Sequence, residues 1–386
     1  MRRLINVRLP DPVPENSDKR FWCIQVSQEN KIHSISPFAE GSCASGENWN
    51  GDFLSPMAVD LQINGGYGLA FPELDFDDIP CLITLLDRLW NDGVEAISPT
   101  FVTCSIDALR QGLAVLREAR KLLAENRCKL LGAHLEGPFL SKEFAGAHNL
   151  NFLEEPTLHA LQERIGGFES EIALVTLAPE LHGAIDVINR LRELDIVVSL
   201  GHSSADAECA KRAFNSGVTM LTHTFNAMST PHHRFPGPIG EALINGQISL
   251  GLIADGTHVH PHIAVLLQRL AANKLVLISD AISPYGLDDG QYFWDDRVVF
   301  SKEGCCRLED GTLAGVTLPL LESCKRLAQW GGGLGSAIWS TTIAPRQVLS
   351  SEAVGTHDYL IGKSLKRLLR WETNPAEKQP FWHFAY

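Results

Sequence analysis

Beyond Pro56 the chain alternates short, almost wholly apolar runs with longer amphipathic ones. The apolar runs fall at residues 57–63, 94–101, 129–136, 172–178, 196–202, 218–224, 248–255 and 274–280. Runs of that length, bounded by glycine, proline and polar residues, are the pattern of strands buried on both faces of a parallel sheet. Between most of them lie stretches with apolar residues at helical spacing, clearest at 106–125, 181–194, 205–215 and 261–272. Eight strands joined by helical crossovers predict an α/β fold, a (β/α)8 TIM-type barrel, with its functional face at the carboxyl ends of the strands.

The two ends of the chain read differently. Residues 1–54 hold short strand-like runs at 21–26 and 31–36 and a turn-rich tract around Glu40-Gly-Ser-Cys-Ala-Ser-Gly46. The barrel is assigned to 55–345, although after Asp280 the text turns to small strands and turns before a helical stretch at 318–330. Residues 346–386 form a C-terminal segment expected to complete, with 1–54, a small β-domain built from the chain termini.

The net charge of −13 argues against nucleic acid or an anionic membrane as partner, since both need a basic surface. Nine cysteines without a C-x-x-C pair suggest free thiols in a reducing, cytoplasmic setting; Cys305 and Cys306 are adjacent and badly placed to bridge each other. No stretch is apolar for long enough to span a bilayer.

The chemistry sits where the apolar runs end. Lys129-Leu-Leu-Gly-Ala-His-Leu-Glu-Gly-Pro-Phe139 puts His134 and Glu136 on one strand face and stops at Gly137-Pro138. The runs ending at His202, His223 and Asp280 repeat that construction. Any one such histidine is more often a strand-end residue bonded to a carbonyl; together, Glu136, His202 and His223 make a metal set of two imidazoles and one carboxylate, open to water. Asp280 is placed to take and return a proton. Gly146-Ala147-His148 follows the third run, and an imidazole there can polarise a carbonyl oxygen. Arg234, in His232-His-Arg-Phe-Pro-Gly237, is either a solvated loop residue or a bidentate anion clamp. His258 ends the seventh run among further imidazoles that can face an anion, with His260 and His262 read as structural.

In this order the motifs resemble those of the N-acetylglucosamine-6-phosphate deacetylases, a family of the metal-dependent amidohydrolase superfamily. The resemblance runs from Asp60-Leu-Gln-Ile-Asn-Gly-Gly66 through His134-Leu-Glu-Gly-Pro-Phe139, Leu200-Gly-His-Ser203, Thr222-His-Thr-Phe-Asn-Ala-Met228 and Ser279-Asp-Ala281 to Gly311-Thr-Leu-Ala-Gly315. It implies one divalent metal per chain (zinc, with iron, cobalt or manganese as alternatives) on Glu136, His202 and His223, and Asp280 as general base and acid. It implies His148 against the acetamide carbonyl, and Ala147, Asn226, Ala227, Leu313, Ala314 and Gly315 around the sugar. Arg234 and His258 would hold the phosphate of a small phosphorylated amino sugar, one of them across the interface of a homodimer. Many amidohydrolases carry His-x-His where this chain has Gln62 and Asn64, and neutral amides are poor zinc ligands, so no second metal is expected there. The C-terminal residues match the family pattern badly. The alternatives are an amidohydrolase acting on another N-acyl or cyclic amide, and a non-catalytic barrel subunit.

Overall fold

The structure, a computed structural model, describes residues 2–38, 45–122, 124–350, 354–372 and 380–386. The turn-rich tract expected around residues 40–46 lies mostly outside them. Eight parallel strands form the barrel: β1 (Ala58–Ile63), β2 (Val94–Val102), β3 (Ala133–Glu136), β4 (Ile172–Leu177), β5 (Val197–Leu200), β6 (Val218–Leu221), β7 (Ser249–Leu252) and β8 (Leu275–Leu277). Each pairs in parallel with the next. The seam between last and first is thin: Asp280 N–H donates to Gln62 O (2.9 Å), Asn64 N–H to Ala281 O (2.7 Å), and Ile63 bridges Ala281.

Helices fill the crossovers as expected, and side-chain caps fix several of their starts. They include α1 (Ile79–Asn91), α2 (Ile106–Arg120), α3 (Leu158–Ile165), α4 (Ala184–Glu193), α5 (Ala207–Ser216), α6 (Gly237–Asn245) and α7 (Pro261–Ala271). Ser105 accepts from Ala108 N, and Asp206 from Cys209 N. Val59, Leu61, Leu174, Met220, Ile253 and Val276 plug the barrel interior, while a larger apolar cluster seals helices against strands. Among the described residues no helix is long and apolar enough to cross a membrane.

Two strands depart informatively from the sequence pattern. The third run splits: Lys129–Leu130 pairs low on β2 and Ala133–Glu136 higher up. Gly132 sits in the gap, where a Cβ would lie 2.5 Å from Ala173 N. At the carboxyl ends, β5, β6 and β8 stop before the residues that matter. His202, His223 and Asp280 have φ of 49°, 27° and 50°, the left-handed region, so they leave the ladder and turn over the mouth.

After β8 an antiparallel four-stranded sheet rises beside that mouth: Gly290–Trp294, Arg297–Lys302, Cys305–Leu308 and Leu313–Val316. Trp294, Val299 and Cys306 pack it against Ala70, Val102 and Ile282. At the other end of the barrel, Arg2–Val7, Trp22–Val26, Ile32–Pro37 and Glu47–Asn48 form one sheet, and Phe53–Pro56 joins Leu368–Glu372 and Phe381–Phe384 in another. Leu4, Ile24, Trp49, Leu365 and Leu368 share one core there, so residues from both chain ends pack together.

Candidate active site

Glu136 ends β3, His202 follows β5 and His223 follows β6, and their side chains meet at one point. Glu136 Oε1 lies 3.2 Å from His202 Nε2 and 3.0 Å from His223 Nε2, and the two Nε2 atoms are 3.0 Å apart. His202 Nδ1 lies 2.8 Å from the carbonyl of Phe144. A carbonyl can only accept, so Nδ1 carries the proton, and a neutral His202 turns a lone pair toward Glu136 and His223. Lone pairs so close repel unless a cation sits among them. Donors bound about 2.0–2.1 Å from a tetrahedral ion lie about 3.3 Å apart, close to the separations here. The donor set therefore fits a metal ion. Burial alone would raise the Glu136 carboxyl, but the neighbouring imidazoles of His202 and His223 outweigh it and hold it well below the usual range. Burial pushes the His223 imidazole down, and the adjacent Glu136 carboxylate more than reverses it. Its buried Nδ1 has no partner among the described residues.

His148 also stands close, its Nε2 3.9 Å from Glu136 Oε2, and Glu136, His148 and His202 likewise group their ligand atoms within 4.8 Å. Its tautomer sets it apart. His148 Nδ1 accepts from the Thr103 backbone N–H (3.2 Å) and lies 2.9 Å from Thr103 Oγ1. Nδ1 is thus the unprotonated nitrogen, and Nε2–H faces the site as a donor with no lone pair for a metal. Burial drives its pKa down to about 3, so it stays neutral. His134, two residues before Glu136, is fully buried between Thr100 and Thr176, and burial lowers it to about 4. It belongs to the packing below the site.

Asp280 Oδ1 accepts from Asn64 Nδ2 (2.9 Å) and Gln62 Nε2 (3.2 Å), and Gln62 Nε2 also donates to Glu136 Oε1 (3.0 Å). One amide thus ties both carboxylates. Burial, then the nearby Glu136 charge, raises Asp280 to about 6, a suitable value for taking and returning protons near neutrality.

These groups line a cavity of about 500 Å³. Of the residues expected around a sugar, Ala147, Asn226, Ala227, Leu313, Ala314 and Gly315 all line it, as does His258. His258 Nδ1 lies 2.7 Å from Asp255 Oδ2, which fixes the ring and leaves Nε2 for the cavity. Arg234 is not among the lining residues. It stands exposed on its loop, with Nη1 2.9 Å from His233 Nε2. Arg307 and Trp294 line the cavity, yet no motif marked them, since both lie on the antiparallel sheet outside the alternating pattern.

A (β/α)8 barrel that gathers a metal-type donor set, a buried donor imidazole and a proton-accepting carboxylate at its strand ends defines a hydrolase of the amidohydrolase class. No protein-family model matches the chain. It is 36% identical over 321 residues to the N-acetylglucosamine-6-phosphate deacetylase of Homo sapiens, covering 80% of this chain and 78% of that one. It is 32% identical over 308 residues to the N-acetylgalactosamine-6-phosphate deacetylase of Escherichia coli O157:H7, covering 78% and 80%. The crystal structure of the Thermotoga maritima N-acetylglucosamine-6-phosphate deacetylase superposes with a TM-score of 0.74 at 30% identity, over 90% of this chain and 89% of that one. The chain belongs to the N-acetylglucosamine-6-phosphate deacetylase family.

Proposed function

We propose that this chain hydrolyses the acetamide of N-acetylglucosamine 6-phosphate, giving glucosamine 6-phosphate and acetate. One observation carries the reading: the lone pairs of Glu136, His202 and His223 converge at 3.0–3.2 Å, beside the His148 Nε2–H and Asp280. Those three residues would hold a single divalent ion; two imidazoles and a carboxylate suit zinc, with iron, cobalt and manganese as alternatives. When bound, such an ion supplies Lewis acidity to water and to the amide carbonyl. Asp280 takes the proton of the attacking water and passes it to the departing amine. His148 donates to the carbonyl oxygen as negative charge builds there. Asn226, Ala227 and the Leu313–Val316 strand enclose the sugar, and His258 faces the phosphate.

Arg234 reaches an anion only if another copy of the chain brings it there. The same flank exposes Phe235 (71%) and Ile244 (87%), and α7 bares Leu266 and Leu270. That apolar surface supports a homodimer joined through this flank. The division into residues 1–54, 55–345 and 346–386, and a cytoplasmic location, are part of the same proposal.

The test is acetate release by the purified protein from N-acetylglucosamine 6-phosphate, its galactosamine epimer and unphosphorylated N-acetylglucosamine, with elemental analysis of the same sample. The expected result is about one metal per chain and a clear preference for a phosphorylated sugar. Activity on unphosphorylated N-acyl compounds alone would move the enzyme to another amide substrate. A metal-loaded protein inert on all of them would make it a non-catalytic barrel.

A further inference from the structure

Among the described residues, two sets of histidine, cysteine, aspartate or glutamate side chains bring three ligand atoms within 4.8 Å of one another. One set belongs to the site described above. The other joins Asp255, His258 and Cys305. Asp255 and His258 lie in the loop after β7, and Cys305 opens the Cys305–Leu308 strand, so the set exists only where the antiparallel sheet meets the barrel. The loop half is held in place by its own bonds. Asp255 Oδ1 accepts from the backbone N–H groups of Thr257 (2.9 Å) and His258 (2.8 Å), and Oδ2 accepts from His258 Nδ1 (2.7 Å). Arg326 Nη1 donates to the Asp255 carbonyl (2.6 Å) and pins the loop from the other side. Cys305 is buried against this pair. Burial, with the Asp255 charge adding to it, pushes its thiol up to about 11, so the sulfur keeps its proton while no cation is near. A divalent ion can take the place of that proton, since carboxylate, imidazole and thiolate are all zinc donors. Donors around tetrahedral zinc lie about 3.3–3.7 Å apart, so the set must contract by up to about 1 Å, within reach of a rotation of the short Cys305 side chain.

We infer that Asp255, His258 and Cys305 form a second, weaker binding site for zinc or another divalent ion that accepts thiolate, separate from Glu136, His202 and His223. A set with one sulfur, one nitrogen and one oxygen donor selects against magnesium and calcium, which prefer oxygen alone. Binding releases the thiol proton to solvent. It also engages a ring nitrogen of His258, which lines the catalytic cavity, so an excess of zinc inhibits the enzyme. The inference goes beyond the proposed activity and does not depend on which amide the enzyme cleaves.

The experiment uses the full chain, loaded at its catalytic site and desalted before titration. Added zinc is followed by equilibrium dialysis, and added cobalt by its thiolate charge-transfer absorption in the near ultraviolet. Glu136, His202 and His223 offer no sulfur, so that absorption reports a cysteine. The wild type should take up about one further ion per chain, weakly, with the sulfur band growing and activity falling as it fills. In Cys305→Ser and Cys305→Ala the basal activity should match the wild type and the band should vanish. Inhibition should then need at least about tenfold more zinc. Circular dichroism checks that both variants are folded, and either one suffices for the comparison. A wild type that takes up no further ion overturns the inference, as does a sulfur band that survives in the variants. A chain without its first metal or without basal activity counts against the proposed function, and the sulfur band still decides the second site.

Discussion

Two glutamates, Glu136 buried and Glu95 largely buried, sit at opposite ends of the barrel, and they are kept by opposite means. Glu95, at the start of β2, is bonded by Arg346, by Arg367 (2.7 Å) and by the Tyr359 hydroxyl (3.2 Å). Burial raises its carboxyl, but the two guanidinium charges outweigh that and hold it below the usual value. Glu136, at the end of β3, meets two imidazoles and one neutral amide. The floor is satisfied by permanent cations, and nothing there needs to come or go. The mouth is satisfied by groups whose lone pairs converge, which leaves a place for an exchangeable cation and for chemistry. A buried carboxylate announces function when its partners are not themselves charged.

The sharpest way to break that contrast is at the mouth. Asp280→Asn should keep the fold and the metal while kcat falls ~10²–10⁴-fold, because an amide cannot accept the water's proton. Elemental analysis beside kinetics checks it; loss of metal along with activity would make Asp280 a ligand and not a base.

The matching change at the floor is Glu95→Gln. It removes the negative charge facing Arg346 and Arg367 and should lower stability by about 2–4 kcal/mol, at the low end of a buried pair because Arg367 is 31% exposed. In the protein that remains folded, kcat should stay within about threefold of the wild type. Denaturant titration and assay below the unfolding midpoint separate the two effects. A large loss of kcat would show that the two ends of the barrel are coupled.

The smallest effect is a pH dependence. Glu95 has a folded pKa below its ordinary 4.5, so its contribution is complete above that value and is lost as the pH falls through the lowered one. Stability measured from pH 7 downward should therefore lose this component only below about pH 4.5, and Glu95→Gln should lack it. An unchanged acid limb in the variant would show that Glu95 is held by its hydroxyl bond and not by charge.

Much of the barrel was legible because burial on both faces leaves a continuous apolar run, and each run existed as a strand. The ends were read too far, since His202, His223 and Asp280 look like strand residues in sequence and adopt φ values that strands do not. The converging side chains were legible through their repeated place after apolar runs. The bond network of Gln62 was not: a neutral amide gave grounds to exclude a second metal but no sign that it ties Glu136 to Asp280. Arg307 was hidden for another reason. Its neighbours are set by antiparallel pairing with Arg297–Lys302 and Leu313–Val316, and the alternation within each strand does not say which strands will pair. The pairing of Phe53–Pro56 with Leu368–Glu372 was invisible on the same ground.

The thin seam of the barrel has a consequence for the order in which the protein becomes an enzyme. Gln62 and Asn64 are made early and Asp280 more than two hundred residues later, yet they bond each other across the closure between Ile63 and Ala281. Until that closure forms, Asp280 has neither amide to hold it, and Gln62 has only one of its two carboxylates. Glu136, His202 and His223 all precede Asp280 in the chain, so the residue that bonds both amides is the last of the four to be made. Closure of the barrel and the hold on Asp280 are therefore one and the same set of contacts.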